Sequence, residues 1–230
     1  MESTLLEKAA SSKDELFGKI FKDDLSLSAI QDATQRFEQL MTYYRCAIME
    51  IETKFNVLNE QFSLKQDRTP INGMKSRLKS PKSILAKLSR KNLPITFSSI
   101  EETLADIAGV RIICSFVQDV YFLADALLKQ DDVTLIETKD YIKNPKENGY
   151  RSLHLIVSVP IFLLHEKRQM KVEIQLRTIA MDSWATLEHQ LKYKKDTVFT
   201  EEMAHDLHLC SQLSAELDAR MDNLRKQCLE

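Results

Sequence analysis

The sequence predicts an α+β fold: a mixed β-sheet flanked by helices, with helical extensions at the N- and C-termini. Three observations carry this. Apolar residues recur every three or four positions through the N-terminal third. The middle of the chain alternates short β-rich runs with helical patterns, and the C-terminal segment returns to a helical apolar line.

Taken in order, a short helix is expected near Asp14 to Phe21. The main stripe follows with Ile30, Ala33, Phe37, Leu40, Met41, Tyr44, Ile48, Ile51, Phe55, Leu58 and Phe62. It is long for a lone surface helix, so packing on the domain and on another subunit are both open. Pro70 and Gly73 end this region. Ser80 before Pro81 is a start signal for a basic helix, a serine cap followed by a first-turn proline. "GVRIICSF" (Gly109 to Phe116) reads as a strand, Asp119 to Gln130 as a helix, and Val133 to Ile142 as a second strand. "KENGYRSLHLIV" leads from an Asn-Gly turn into a third strand ending at Val159, and Gln169 to Thr178 forms a fourth. "AMDSWATLEHQLKYK" and the segment from Glu201 onward read as helices, the last lined by Met203, Leu207, Cys210, Leu217, Met221 and Leu224.

Composition narrows the functional classes. A hydrophobic fraction of 43% over 230 residues supports a proper core and excludes global disorder. No apolar run approaches the ~18 residues that span a bilayer. The N-terminus lacks the basic start and apolar core of a secretory signal, so a cytoplasmic location is the expectation. Cys46, Cys114, Cys210 and Cys228 are scattered, which argues against a zinc site or a disulfide framework. The formal net charge is only −2, yet Arg68 to Ile100 holds eight Lys or Arg and no Asp or Glu. Neither G-x-x-x-x-G-K-[ST] nor G-x-G-x-x-G occurs, so the common phosphate-binding loops are excluded.

Strand alternation selects the candidate residues. In the fourth strand Met170, Val172, Ile174 and Leu176 share one face, and Lys171, Glu173, Gln175 and Arg177 the other. In the third, Tyr150, Ser152 and His154 oppose Leu153, Leu155 and Val157, and in the first Arg111 opposes Val110, Ile112 and Cys114. One solvated face of an antiparallel sheet produces the same pattern and is commoner. The mixture of acid, amide, guanidinium and imidazole, with Asp106 just ahead of the first strand, is what resists that reading. Asp106 and Glu173 are the candidate ligands for a divalent metal such as Mg²⁺, which takes hard carboxylate oxygens with phosphates and waters completing its shell. In "MKSRLKSPKSILAKLSRK", Arg77 and Lys79 precede the basic helix, and Lys87 and Arg90 share a face on it. Such a run is more often a solvated face or an RNA-binding patch than a nucleotide site. The His205-Asp206 pair, in a regular helical pattern without a second cluster, reads as a surface pair.

Four ordered motifs, "SRLKSPKSILAKLSRK", "DIAGVRIICSF", "KDYIKNPKENGYRSLH" and "VEIQLRTIAMDSWATLEH", together resemble the synthetase domain of the RelA/SpoT family. The stand-alone small alarmone synthetases are the nearer likeness. The resemblance implies a nucleotidyltransferase-like fold over residues 69–196, between an N-terminal helical extension (1–68) and a C-terminal helix (197–230). It implies transfer of pyrophosphate from ATP to the 3′-hydroxyl of GDP or GTP, releasing AMP. On this sequence Arg77 and Arg111 would sandwich adenine, while Lys79, Lys87 and Arg90 would hold the ATP phosphates. Asp106 and Glu173 would bind Mg²⁺, and Glu173 would also take the proton of the attacking hydroxyl. Tyr150 would stack on guanine beside Asn148 and His154. Lys139 and Lys146 would meet the acceptor's phosphates, and Gln175 its ribose. The small synthetases are homotetramers, so a homotetramer is expected here, without alarmone hydrolysis and with no RNA or membrane partner predicted. A toxin-like synthetase acting on tRNA or adenosine nucleotides and a non-catalytic RNA-binding module are the competing expectations. Arg151 has no assigned role.

Overall fold

The computed structural model describes residues 27–66, 68–192 and 199–229. The short helix expected at 14–21 lies outside them.

The apolar stripe forms one helix, α1 (Leu27–Gln66), uninterrupted because no Gly or Pro falls within it. Ala33, Phe37, Leu40, Tyr44, Ala47, Ile51 and Phe55 are buried in a core shared with the sheet. α1 therefore packs its apolar stripe on its own chain, and Met49, Val57 and Leu64 stay exposed on it.

Then come β1 (Ile71–Leu78), α2 (Pro81–Arg90), α3 (Phe97–Thr103), β2 (Ala108–Cys114), α4 (Val117–Leu128) and β3 (Thr134–Asp140). They are followed by β4 (Leu153–Phe162), β5 (Lys167–Thr178), α5 (Ile179–Lys192) and α6 (Glu201–Leu229). The five strands lie in the order β1-β2-β5-β4-β3. Only β2 and β5 run parallel; the other neighbours are antiparallel. The fold is thus the mixed sheet with flanking helices that the sequence predicts.

Two elements escape sequence reading. β1 is an edge strand whose strand partner among the described residues is β2, with a bulge between Ile71 and Gly73. Exposed on much of its length, it needs no apolar alternation and displays basic residues instead. α3 is a single short helix capped by Thr96, whose hydroxyl accepts from the Ser99 amide. At the start of α2 the expected cap is present, with Ser80 Oγ accepting from Ser83 N ahead of Pro81.

The apolar strand faces stack in rows such as Val110–Ile174–Leu155 and pack beneath α1 and α4. Asp119, nearly fully buried at the start of α4, receives both guanidinium nitrogens of Arg68 at 2.8 and 2.9 Å and Arg225 of α6 at 3.4 Å. One carboxylate therefore ties the α1–β1 junction, α4 and α6 together, leaving the opposite face of the sheet open for chemistry.

Candidate active site

On that opposite face the strand register aligns one row across all five strands: Lys75, Arg111, Gln175, His154 and Lys139. Two residues along, a second row runs Arg77, Gly109, Glu173. Gly109 matters because a Cβ there would stand 3.4 Å from Arg77 Cγ, so Arg77 lies across the bare backbone. Arg77 and Arg111 consequently line one cleft of about 150 Å³ with Lys75 and Gln175.

At one end of the face, Asp106 sits in the loop before β2. Its Oδ2 accepts from Lys79 Nζ at 2.7 Å and lies 2.6 Å from Lys87 Nζ, while Oδ1 is buried without a hydrogen-bond partner. Burial would raise the Asp106 pKa, but hydrogen bonds from Lys79 and Lys87 hold it below the ordinary carboxylate value. Lys79 is pinned by its backbone amide donating to Ile107 O. Arg90 is exposed, in the last turn of α2 with Lys87. Arg111 has a buried Nε without a partner. Burial and then neighbouring Arg177 pull its pKa down, against the pull of Asp182.

At the other end, the loop between β3 and β4 presents Tyr150. Gly149 turns with a φ of 86°, a left-handed conformation that favours glycine. Asn148 Oδ1 accepts from Tyr150 N at 3.2 Å, and its Nδ2 donates to Glu188 at 3.1 Å, so Asn148 shapes the turn. Lys146 Nζ lies 4.6 and 4.9 Å from the ring centroids of Tyr141 and Tyr150. The Tyr150 hydroxyl meets His154 Nε2 at 2.8 Å. Lys139 pairs with Glu137 at 3.0 Å, which raises its pKa.

Glu173 stands between the two ends. Its Oε2 accepts from Gln175 Nε2 at 3.0 Å and lies 3.8 Å from Arg77 Nη2, and its Oε1 lies 3.6 Å from His154 Nδ1. Burial would raise its pKa, the hydrogen bonds from His154 and Gln175 lower it, Asp106 opposes them, and the balance lies below the ordinary value. Glu173 and Asp106 therefore feel each other's charge. A bare carboxylate oxygen at Asp106 and a second carboxylate in electrostatic reach fit a hard cation that draws its remaining ligands from phosphate and water. Among the described residues no group of three or more His, Cys, Asp or Glu could hold a metal, which disfavours an all-protein cage.

Every residue assigned to the site from the sequence lies on this face or on the loops and helix bordering it. Ser152 shares the side of Arg177, whose Nε donates to its hydroxyl at 3.4 Å, but it is fully buried just ahead of β4 and donates to Leu176 O at 3.2 Å. Arg151 gains a role, pairing with Asp218 of α6 at 3.1 Å, where Thr178 Oγ1 also donates to Asp218. Lys75, Arg177 and Asp182 join the site without having been assigned a role in it. Strand alternation placed Arg177 on the polar face, whereas Asp182 sits in a helical pattern with no signal to lift it out. His205 and Asp206 are exposed on α6.

Two carboxylates flanked by lysines and arginines, with the Arg77–Arg111 pair at one end and Tyr150 at the other, make up this polar face. The chain belongs to the RelA/SpoT family: the signature described as a region found in RelA and SpoT proteins matches residues 76–198. The GTP pyrophosphokinase YwaC of Bacillus subtilis is 39% identical over 207 residues, covering 89% of this chain and 99% of that protein. The small alarmone synthetase 1 of Bacillus subtilis, solved bound to its product pppGpp, superposes with a TM-score of 0.77 at 36% identity, covering 85% of this chain and 100% of that one. The same protein bound to AMPCPP gives a TM-score of 0.72 at 34% identity, covering 85% and 98%.

Proposed function

We propose that this chain is an alarmone synthetase that transfers pyrophosphate from ATP to the 3′-hydroxyl of GDP or GTP, giving ppGpp or pppGpp and AMP. The observation that carries this is Glu173 lying between a cation cluster at Asp106 and the Tyr150–His154 pair, in a chain similar over most of its length to named GTP pyrophosphokinases.

Arg77 and Arg111 clamp the adenine, and Lys79, Lys87 and Arg90 take the donor phosphates, Lys79 and Lys87 now resting on Asp106. Tyr150 stacks on the guanine, and Lys139 and Lys146 meet the acceptor phosphates. Glu173 orients the 3′-hydroxyl and takes its proton. The 3′-oxygen forms a bond to the β-phosphorus while the bond from that phosphorus to the α-phosphate oxygen breaks, and AMP leaves. Charge builds on oxygens between fixed cations, so positioning and electrostatics carry the rate. Mg²⁺, held by Asp106 and Glu173, would neutralise phosphate charge and favour the alkoxide when bound.

The activity is synthesis without hydrolysis. No helix among the described residues is long and apolar enough to cross a membrane, and a cytoplasmic location is part of the proposal. So is a homotetramer. α5 and α6 leave an apolar groove of about 670 Å³ with Ile179, Leu187, Leu213 and Leu217 exposed along it, a surface suited to a second copy. Light scattering on the full chain checks this; a monomer at micromolar concentration would refute it.

The activity test incubates the chain with Mg²⁺ and ATP against GDP, GTP, ATP and tRNA in parallel. AMP with a 3′-pyrophosphorylated guanosine nucleotide is expected. Product from tRNA alone, or from none of the four with folding intact, would overturn the reading.

A further inference from the structure

One buried carboxylate on this face has no part in the chemistry above. Asp182, in the first turn of α5, is 6% exposed. Its Oδ1 accepts from Arg111 Nη1 at 3.2 Å and from Arg177 Nη1 at 3.3 Å, and its Oδ2 lies 3.4 Å from Lys75 Nζ. Arg177, itself 4% exposed, carries the connection onward. Its Nη2 donates to Gln175 Oε1 at 2.9 Å and to the Tyr150 hydroxyl at 2.5 Å, and its guanidinium carbon lies 5.0 Å from the Tyr150 ring centroid. From Tyr150 the contacts pass to His154, then Glu173, then Gln175, which returns to Arg111 Nη2 at 3.5 Å. Seven side chains therefore close a ring whose opposite sides are the groups assigned to the two bases.

We infer that Asp182 and Arg177 are positioning residues: Asp182 fixes the Arg111 guanidinium for the donor base, and Arg177 extends the same anchor to Tyr150 for the acceptor base. The physical reason lies in the charges. Arg177 is buried and Arg111 half-buried beside it, so the two cations repel, and Asp182 is the carboxylate that both of them share. Removing that charge while leaving the cations in place makes their close approach unfavourable. Arg111 is then free to swing out of the cleft, and the loss of a preset stacking partner is read as weaker binding. A second function of the ring is to hold the two bases in fixed relation, which attack on the β-phosphorus requires.

The inference rests on the synthetase reading, and its test separates the two. Binding of α,β-methylene ATP to the full chain with Mg²⁺ is measured by calorimetry, and KM and kcat are measured for ATP and GDP. Asp182→Asn is expected to weaken analogue binding and raise the KM for ATP by roughly tenfold, with a smaller fall in kcat at saturation. Arg177→Lys keeps the charge beside Asp182 and loses the forked reach to Tyr150. It is expected to raise the KM for GDP by roughly tenfold and leave analogue binding within about twofold. Unchanged analogue binding in folded Asp182→Asn would overturn the donor half. Should that variant fail to fold, Arg177→Lys decides: an acceptor-selective loss supports the ring, and equal losses at both ends, or none, overturn it. If the unaltered protein binds the analogue but makes no product from GDP or GTP, the synthetase reading fails instead.

Discussion

Replacing Glu173 by Gln is expected to lower kcat for pyrophosphate transfer by about 10²- to 10³-fold, with α,β-methylene ATP binding changed only a few-fold. The carboxylate is held on β5 at the centre of the polar face, with both oxygens engaged. Its pKa lies below the ordinary value, so at neutral pH it is an ionised, acceptor-only group facing the amide of Gln175 and the ring of His154. Glutamine keeps the size and removes the charge and, with it, the two roles proposed for this group: proton acceptor for the 3′-hydroxyl and one of the two hard carboxylate ligands. Its amide offers one acceptor oxygen where the carboxylate offers two, so its nitrogen must face either the Gln175 amide or the His154 ring. In the proposed reading nucleotide binding comes from other groups: Arg77 and Arg111 on the donor base, Lys79, Lys87 and Arg90 on the phosphates, Tyr150 on the acceptor. The loss therefore falls on the chemical step. Single-turnover AMP release from a preformed complex reads it directly; a loss smaller than about tenfold would remove Glu173 from the proton-accepting role.

That carboxylate was legible because β5 is covered on one side only. A strand buried on one face must alternate, and Met170, Val172, Ile174 and Leu176 leave no doubt about which residues face away. The same logic found Arg111 and His154, and helical periodicity found α1. It failed where burial does not impose a pattern. β1 is an edge strand with a bulge, so Lys75 and Arg77 read as part of a basic run rather than as one register of a sheet. Ser152 obeys strand parity, meeting Arg177, but parity says nothing of its burial. Asp182 and Asp218 lie at ordinary helical positions, and their importance comes from cations brought to them by distant segments, Arg111 from β2 and Arg151 from the acceptor loop. Contacts of that kind belong to the tertiary structure and leave no local periodicity. The family resemblance supplied residue roles that alternation could only shortlist.

Gly149→Ala should cripple use of the acceptor far more than binding of ATP, lowering kcat/KM for GDP by about 10²-fold. The acceptor loop does not hang free. Gly149 N donates to Lys146 O at 2.8 Å and Lys146 N to Tyr150 O at 3.2 Å, so the turn is internally hydrogen-bonded. Its outer side rests on α6, where a Cβ at Gly149 would lie 2.0 Å from Ser211 Oγ and 2.6 Å from Ser211 Cβ. Alanine therefore incurs two penalties. The left-handed backbone costs about 1–2 kcal/mol for any L side chain. The overlap with Ser211, which is buried and hydrogen-bonded to His208 O, must push either the loop or the helix away. Thr178 Oγ1 donating to Asp218, Trp184 Nε1 donating to Leu207 O and Arg225 paired with Asp119 hold the helix from outside the loop, so the loop is the part that yields, carrying Tyr150 with it. The donor cleft, lined by β1, β2 and Gln175 of β5, meets Tyr150 through Arg177, so ATP binding should change less than use of the acceptor. Ser211→Gly separates the two penalties, because it removes both overlapping atoms and leaves the backbone strain. Acceptor kcat/KM should recover in part in the double variant. Recovery in full would mean that the left-handed turn costs nothing here, and no recovery would mean that α6 does not buttress the loop. If buttressing holds, the C-terminal helix is a working part of the acceptor site: it fixes through Ser211 and Asp218 the two residues on either side of Tyr150.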